Sequence, residues 1–201
     1  MRPIDIRQYK QSIREESRKR RTEMEEERRR ERDEKIANNV RRLHQYSPSS
    51  TLLIYVSTPI EIDTKKIIEN AWADGKKVAV PRCIPETRLM EFHYISSFDD
   101  LKPGSFGVLE PDETLPIVED FSGCLMIVPA MQFDIYGFRL GYGKGYYDRY
   151  MSRFTGVSAG LCYSEELRRH MYHGRYDKPV DIIVTDRYIR TCKKQNSNYG
   201  G

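Results

Sequence analysis

The stretch TLLIYVSTPIEIDTKKIIENAWADGKKVAVP, residues 51–81, decides the fold class. It opens with the apolar, β-prone run LLIYVS, which is typical of a strand covered on both faces. A helix follows, with Asp63 or Thr64 as its cap, and Gly75 ends it. Residues 77–81 read as the next strand. Strand, helix and strand within about 30 residues predict a βαβ unit with parallel strands.

The chain after this unit continues the same pattern. Residues 90–95 alternate between apolar and polar side chains, which indicates a more exposed, antiparallel strand. Further apolar runs predict three more buried strands, at residues 124–129, 157–163 and 180–185. The sequence therefore predicts a single three-layer α/β domain with a mostly parallel sheet over residues 51–190, followed by a polar tail at residues 191–201.

Residues 1–50 differ in composition and predict a charged N-terminal helical arm that packs on the domain. Residues 1–42 hold 15 Lys or Arg and 10 Asp or Glu, and the two signs are interleaved as on a solvated helix face. Thr22 followed by Glu25 fits a capping box, so we expect one helix to end near Arg21 and another to begin. Apolar residues return only late in the second helix, and we expect that end to dock.

The composition excludes several classes of protein. No run approaches the roughly 18 apolar residues of a membrane span, and the first residues show no apolar signal core. The four cysteines have no spacing typical of zinc or redox motifs: Cys83, Cys124, Cys162 and Cys192. From these features we expect a soluble cytoplasmic protein that does not associate with membranes.

The run RLGYGKGYYD, residues 139–148, is the segment best suited to chemistry. Its three alternating glycines let the backbone present bare N–H groups to an anion, and the start of a helix adds more. Arg139 and Lys144 bring positive charge, and Asp148 suits a metal ion that bridges phosphate oxygens. The spacing is that of neither a Walker loop nor a dinucleotide fingerprint. The residues alone predict an anion site with a metal, with an ordinary glycine-rich turn as the alternative.

The same run resembles the signature of the 5-formyltetrahydrofolate cyclo-ligases, also called methenyltetrahydrofolate synthetases. Four other segments resemble elements of that family in the same order, at residues 10–14, 55–64, 107–111 and 180–185. The resemblance implies ATP-driven conversion of 5-formyltetrahydrofolate to 5,10-methenyltetrahydrofolate, with Mg²⁺ as cofactor. It also implies the α/β fold that sugar isomerases and coenzyme A transferases share. We expect a monomer whose partners are these two substrates, without nucleic acid.

The resemblance also implies roles for individual residues. The catalytic positive charges are Lys10, Arg14, Arg139 and Lys144. ATP is expected to contact Lys10, Gln11, Ser12, Ile13, Arg14, Arg139, Leu140, Gly141, Tyr142, Gly143, Lys144, Gly145, Tyr146 and Tyr147. The folate is expected to contact Val56, Glu61, Tyr142, Gly143, Lys144, Gly145 and Tyr146. The metal is expected at Asp148 and Asp181.

Several of these residues have a simpler interpretation in the sequence itself. Lys10 and Arg14 lie one helical turn apart and share a face, where isolated charges are usually just solvated. Glu61 could flank the cap of the following helix, and Val56 could simply pack within its strand. Asp181 sits in an apolar strand, where a structural salt bridge is the alternative to a metal.

Two other functions stay open at this point. The α/β architecture also suits a phosphosugar or acyl-coenzyme A enzyme, because fold alone does not decide function. The arginine-rich arm could bind RNA or act as a scaffold, with a steep dependence on salt as its mark. No chemistry is assigned to three histidines that lack evident partners in the sequence: His93, His170 and His173.

Overall fold

The computed structural model describes residues 5–104 and 107–192, so most of the predicted tail at residues 191–201 lies outside the described residues. The helices are α1 (Ile6–Thr22), α2 (Glu26–Arg41), α3 (Lys65–Ala73) and α4 (Tyr146–Met151). The strands are β1 (Thr51–Ile54), β2 (Lys77–Ile84), β3 (Leu89–Ile95), β4 (Leu101–Pro103), β5 (Leu109–Pro111), β6 (Cys124–Val128), β7 (Gln132–Asp134), β8 (Arg139–Leu140), β9 (Val157–Leu161), β10 (Leu167–Arg168), β11 (Ile182–Val184) and β12 (Ile189–Thr191). None of the described helices is both long enough and apolar enough to cross a bilayer.

Seven strands form the main sheet, in the order β12-β11-β9-β6-β1-β2-β3. The five inner strands are parallel, whereas β12 and β3 pair antiparallel at the two edges. This arrangement confirms the predicted mostly parallel sheet and the antiparallel strand after the βαβ unit. Strands β1 and β6 are buried along their whole length, as their continuous apolar runs require in a sheet covered on both faces.

The two faces of the sheet pack against different layers. Because side chains alternate along a strand, Leu52 and Ile54 join a core with α2 and α3, and Leu53 joins the opposite core. That second core contains Phe133 of β7 and Tyr150 of α4. The apolar faces of α2 and α3 are thus buried on one side of the sheet and that of α4 on the other, and burial of apolar surface is the main force that stabilises a folded protein.

Both ends of α3 use the predicted residues, although the details differ. The Asp63 carboxylate accepts a hydrogen bond from the backbone N–H of Lys65 at 2.9 Å. Thr64 directly precedes the helix, but its hydroxyl donates to the Tyr55 carbonyl instead, at 2.8 Å. Gly75 follows the end of the helix with φ +73°, a left-handed conformation that favours glycine.

The N-terminal arm packs on the domain along more of its length than the sequence predicts. The end of α2 docks as expected, since Ile36, Ala37 and Val40 are fully buried. However, Arg21 and Arg32 are also buried, at 3% and 5% exposure, so the prediction of a solvated charged face is wrong for both. The break between α1 and α2 is where it was expected.

The predicted capping box at that break does not form. The Thr22 hydroxyl donates to the carbonyl of Arg18 within α1, at 2.9 Å. Glu25, rather than Thr22, occupies the cap position of α2, and its side chain makes no capping hydrogen bond. Thr22 is the last residue of α1 and lies three residues before the cap position of α2. Its hydroxyl therefore does not bind the free N–H groups at the start of α2.

A small second sheet, β10-β7-β8, was not predicted. Its strands have only two or three residues, too few for a periodic pattern. The turn between β7 and β8 is held by Asp134, whose Oδ1 accepts from the N–H groups of Tyr136 and Phe138 at 3.0 Å each. This hairpin carries the chain from β6 to residues 141–145, the glycine loop, and so sets where that loop lies.

Candidate active site

The glycine loop has the curled backbone that its glycines predict. Gly143 and Gly145 adopt φ +92° and φ +73°, which side chains with a Cβ rarely tolerate. Gly145 also occupies the cap position of α4, so the loop leads directly into that helix. Successive N–H groups in such a loop form a concave surface for an anion such as phosphate.

Arg139 and Asp148, at the two ends of the predicted phosphate-binding run, bind each other. The Arg139 Nη2 atom lies 2.7 Å from Asp148 Oδ1, and Arg139 Nη1 donates to the carbonyl of Lys178 at 2.8 Å. The N–H of Lys178 donates to the same Asp148 oxygen at 3.1 Å. Burial lowers the pKa of Arg139, and the negative charge of Asp148 opposes that effect. The pair thus fixes the base of the glycine loop.

The start of α1 reaches the glycine loop, as the resemblance implied. Arg14 Nε donates to the carbonyl of Gly141 at 2.9 Å, and Lys10 Nζ lies 2.6 Å from Asp177 Oδ2. Beside them is a cavity of about 650 Å³, which is large enough for a small-molecule ligand. It is lined by Arg7, Gln8, Lys10, Gln11, Ser12, Arg14, Glu15 and Gly143.

Two of the residues predicted to contact ATP pack in the interior instead of lining that cavity. Ile13 and Leu140 are 4% and 3% exposed and form a small apolar cluster with Met171. Their backbones still lie in the segments that border the cavity, since Ser12, Arg14 and Gly143 line it. The side chains of Ile13 and Leu140 therefore join α1 to the strand that leads into the glycine loop, and the neighbouring residues line the cavity.

Arg21, at the other end of α1, is the main contact that sequence reasoning missed. Its guanidinium binds the Glu166 carboxylate, with Nη2 to Oε2 at 2.7 Å and Nε to Oε1 at 3.1 Å. It also donates to the carbonyls of Ile60, Ala130 and Met131, at 3.3, 3.1 and 2.9 Å. One buried side chain thus joins α1 to the loops that follow β1, β6 and β9.

The spacing of residues along α1 is the signal that could have identified Arg21. Lys10, Arg14, Ser17 and Arg21 follow one another at intervals of four, three and four, so they share one face of the helix. Ser17 is fully buried, and its hydroxyl oxygen accepts from Gln132 Nε2 at 2.7 Å. These four polar residues form a stripe along α1. Buried helix faces are usually recognised by apolar residues at this spacing, so the stripe did not indicate burial.

The predicted folate-binding glutamate is buried and faces the glycine loop. Glu61 is 7% exposed, and its Oε2 accepts from the Thr58 N–H at 2.8 Å and the Thr58 hydroxyl at 2.9 Å. Tyr142 of the glycine loop lies close to the same carboxylate, and partial burial together with the charge of Glu61 raises the pKa of Tyr142. Val56, by contrast, is part of the hydrophobic core, which agrees with the simpler interpretation of that residue.

Cys83, Glu110 and Tyr146 form a second set of polar contacts near the glycine loop. The Cys83 thiol contacts both the Glu110 carboxylate and the Tyr146 hydroxyl, and burial and the charge of Glu110 raise the pKa of Cys83 to about 11. The N–H of Cys83 also donates to Glu110 Oε1 at 3.2 Å. The sequence pointed to Tyr146 and to the segment that contains Glu110, but not to their meeting at Cys83.

Tyr147 contributes a buried hydroxyl that suits a ligand. Among the described residues its Oη atom has no hydrogen-bond partner, although it is shielded from solvent. Burial raises the pKa of Tyr147, and Glu61 and Arg139 are among the charges that act on it. Because a buried polar atom without a partner is costly, this hydroxyl fits a site whose remaining partner is a bound molecule.

The two predicted metal ligands already serve protein groups. Asp148 holds Arg139, and Asp181 Oδ2 accepts from the N–H and the hydroxyl of Ser158 at 3.0 and 2.8 Å. Asp181 directly precedes β11 and Ser158 lies in β9, so its alternative structural role is a hydrogen bond rather than a salt bridge. Within residues 5–104 and 107–192, no group of three or more His, Cys, Asp or Glu side chains could enclose a metal ion. A Mg²⁺ ion would therefore take most of its ligands from phosphate and water, as it often does.

Comparisons with known proteins point to one family. The model of the 5-formyltetrahydrofolate cyclo-ligase family matches residues 6–186. The 5-formyltetrahydrofolate cyclo-ligase of Haemophilus influenzae is 28% identical over 88% of this chain and 98% of its own. The enzyme of that name from Saccharomyces cerevisiae is 31% identical over 74% of this chain and 82% of its own. The solved structure of Aquifex aeolicus 5,10-methenyltetrahydrofolate synthetase matches with a TM-score of 0.79 and 27% identity, over 95% of this chain and 99% of that one. The chain belongs to the 5-formyltetrahydrofolate cyclo-ligase family.

Proposed function

We propose that this protein converts 5-formyltetrahydrofolate to 5,10-methenyltetrahydrofolate and that the reaction consumes ATP and yields ADP and phosphate. The proposal rests on the position of the glycine loop, which lies between the cationic side chains of α1 and the carboxylate of Glu61. The Gly141 carbonyl accepts from Arg14 of the cationic helix face, and the next residue, Tyr142, lies close enough to Glu61 for its pKa to be raised by that carboxylate. One short loop thus borders both halves of the proposed active site, the half that would bind the phosphates of ATP and the half that contains the carboxylate of Glu61.

The residue types suit the chemistry of the first step. A formyl oxygen is a poor leaving group, so the γ-phosphate is first transferred to it and makes it a good one. Phosphoryl transfer depends on positioning and on positive charge more than on covalent help. Lys10 and Arg14 bring that charge to the cavity wall, with Lys144 in the exposed part of the glycine loop. Arg139 is proposed to act with them from the base of the loop.

The second step closes the ring. The N10 nitrogen attacks the activated formyl carbon, loses its proton, and expels phosphate as the C–O bond breaks. Here the protein has to hold the pterin so that N10 and the formyl carbon meet. Glu61 suits the donor edge of a pterin ring, because an ionised carboxylate only accepts hydrogen bonds. Tyr146 borders the proposed folate half, and the buried hydroxyl of Tyr147 next to it is proposed to contact ATP.

The proposed reaction also requires Mg²⁺. Mg²⁺, brought with ATP, would be held by Asp148 with support from Asp181, and it would neutralise charge on the phosphate oxygens. We further propose a cytoplasmic monomer with the sheet arrangement of sugar isomerases and coenzyme A transferases.

The test is an absorbance assay for methenyl-folate with 5-formyltetrahydrofolate, ATP and Mg²⁺. We expect a signal that requires all three, and well-folded protein that gives none would rule the proposal out. Lys144→Ala should lose most turnover and keep its unfolding curve. Lys66→Ala, on the exposed surface of α3, is the matched control and should keep both. Near-normal turnover of Lys144→Ala would remove the glycine loop from the proposal.

A further inference from the structure

The loop that carries Glu61 is bound by side chains of α2. Residues 57–63, which we call the Glu61 loop, lie between β1 and α3. Arg29 Nη2 donates to the carbonyl of Glu61 at 2.6 Å, and the N–H of Asp63 donates to Asp33 Oδ2 at 3.3 Å. Two backbone groups of the loop are thus held by side chains from one helix.

Arg29 and Asp33 lie four residues apart on α2, so they share the face of the helix that is turned toward the Glu61 loop. Asp33 is 7% exposed, and its other carboxylate oxygen, Oδ1, accepts from the hydroxyl of Tyr163 at 2.7 Å. The Arg29 side chain is 25% exposed, and its Nε lies 3.9 Å from Asp33 Oδ2. The hydrogen bond from Arg29 to the Glu61 carbonyl is thus a closer contact than the ion pair with Asp33.

Other contacts of α2 fix the helix to the sheet. Arg32 Nε lies 3.0 Å from Asp186 Oδ2, and the same guanidinium binds Glu165. Its Cζ atom lies 4.2 Å from the ring centroid of Tyr163, a residue that follows β9. Together with the buried apolar residues near the end of the helix, these contacts make α2 a fixed support from which Arg29 reaches the loop.

The side chain of Glu61 is held separately from this contact. Thr58 donates to Glu61 Oε2 through its N–H and its hydroxyl, and the N–H of Glu61 donates to the Thr58 carbonyl at 3.0 Å. These bonds lie within the loop, so they fix the shape of the turn but not its position in the site. The bonds from α2 come from outside the loop and fix where that turn lies.

We propose that Arg29 is a positioning residue for the reaction, which acts through Glu61 by holding the Glu61 backbone where its carboxylate meets the donor edge of the pterin. This inference rests on the proposed function, in which Glu61 binds the folate. Without the bond the loop samples other positions, and the apparent dissociation constant rises in inverse proportion to the correctly placed fraction. A fall of that fraction to about one tenth weakens folate binding about tenfold.

Calorimetric binding of each substrate tests the assignment. Arg29→Met removes the charge and the donors but keeps an unbranched side chain with good helix propensity. We expect it to weaken the binding of 5-formyltetrahydrofolate about tenfold and to leave ATP binding unchanged. Arg30→Met is the matched control, because Arg30 is an exposed neighbour on the same helix, and it should change neither affinity.

A double-mutant cycle separates an effect through Glu61 from direct contact of Arg29 with the substrate. Glu61→Ala removes the carboxylate and should itself weaken the binding of 5-formyltetrahydrofolate. If Arg29 acts by aiming that carboxylate, Arg29→Met should cause less than about a twofold further loss of affinity in the Glu61→Ala background.

Three results would overturn the assignment. One is an unchanged affinity for 5-formyltetrahydrofolate in Arg29→Met. Another is an equal loss of ATP affinity, which would mean that the fold had been distorted as a whole. The third is a loss in the Glu61→Ala background as large as in the wild-type background, which would mean that Arg29 contacts the substrate itself.

Failure of this inference stays separate from failure of the proposed function. Wild-type protein that forms methenyl-folate while Arg29→Met binds 5-formyltetrahydrofolate normally would refute the role of Arg29 and support the reaction. Binding of 5-formyltetrahydrofolate that depends on Arg29 through Glu61, without formation of methenyl-folate, would support the role of Arg29 and contradict the reaction.

Discussion

The two ends of α1 use similar charged residues in opposite ways. At the start of the helix, Lys10 and Arg14 line an open cavity. At its end, Arg21 is 3% exposed and binds Glu166 and three backbone carbonyls. A guanidinium has five donors in a rigid fork, which allows Arg21 to bind a carboxylate and several carbonyls at one buried position.

The difference shows how a highly charged helix can serve both structure and ligand binding. The contacts of Lys10 and Arg14 with the rest of the protein are only partly buried, so we expect them to contribute little to docking. The buried end supplies the attachment through Arg21, and Ser17 adds a buried hydrogen bond in the middle. We therefore expect the effect of substitutions to change along α1 from loss of stability at its end to loss of activity at its start.

The largest effect is expected at the buried end. Arg21→Ala should lower the free energy of unfolding by about 3–5 kcal/mol, because it leaves the Glu166 carboxylate buried without its partner. Urea denaturation measures this. Arg20→Ala is the control, since Arg20 pairs with Glu16 at the surface and should cost less than about 1 kcal/mol. Equal losses of unfolding free energy in Arg21→Ala and Arg20→Ala would contradict the structural role assigned to the buried end of α1.

The opposite result is expected at the cavity end. Lys10→Ala should lower turnover about 100-fold, because a positive charge beside the proposed phosphates is lost. Its free energy of unfolding should change by less than about 1 kcal/mol, since the pair with Asp177 is only partly buried. Lys19→Ala, at an exposed position of the same helix, should leave turnover unchanged. A stability loss as large as that of Arg21→Ala would make Lys10 a structural residue.

An intermediate effect is expected between the two ends. Ser17→Ala should lower the free energy of unfolding by about 1–3 kcal/mol, because the buried Gln132 amide loses an acceptor. Ser12→Ala removes only a bond to the Tyr9 carbonyl on the exposed side and should be near neutral. If thermal or urea unfolding does not separate these two serines, the buried polar stripe contributes nothing measurable.

The smallest effect concerns pH. Burial raises the pKa of Asp177, but its hydrogen bonds with Lys10 and Gly174 outweigh this, so that the pKa lies below its ordinary value. A lowered pKa in the folded state stabilises the protein above the unfolded pKa of about 3.9, and this contribution is lost as pH falls through the folded value. The stability difference between wild type and Asp177→Asn should thus shrink from about pH 6 to about pH 3. A difference that stays constant would mean that the Lys10 contact does not depend on the charge of Asp177.

The sequence predicted the parts of the molecule that a regular pattern describes. Continuous apolar runs predicted the parallel inner strands, because strands covered on both faces carry mostly apolar side chains. The glycines, with Arg139 and Lys144, predicted the curled loop that is proposed to bind phosphate, and the resemblance placed Lys10 and Arg14 beside it. The contact of Arg14 with Gly141 agrees with that placement.

The features that were missed depend on contacts between distant segments. The burial of Arg21 requires Glu166, 145 positions later, and the position of Arg21 on the polar stripe of α1 does not by itself reveal that partner. The contact of Cys83 with Glu110 likewise joins two segments 27 positions apart, through the side of a three-residue strand. Short strands and charged contacts of this kind leave no periodic signal.

The contacts of Arg21 also constrain the order in which the protein can fold. Its partners lie 39, 109, 110 and 145 positions away, so α1 cannot complete these contacts until the segments that follow β1, β6 and β9 have come together. The closure of such long loops costs entropy that is recovered only when the contact forms, which makes docking a late step. During synthesis α1 emerges first and must wait for Glu166. The segment that carries Lys10 and Arg14 is therefore expected to take its place late, and a chain stopped before residue 166 would lack both the partner of Arg21 and the strands β11 and β12.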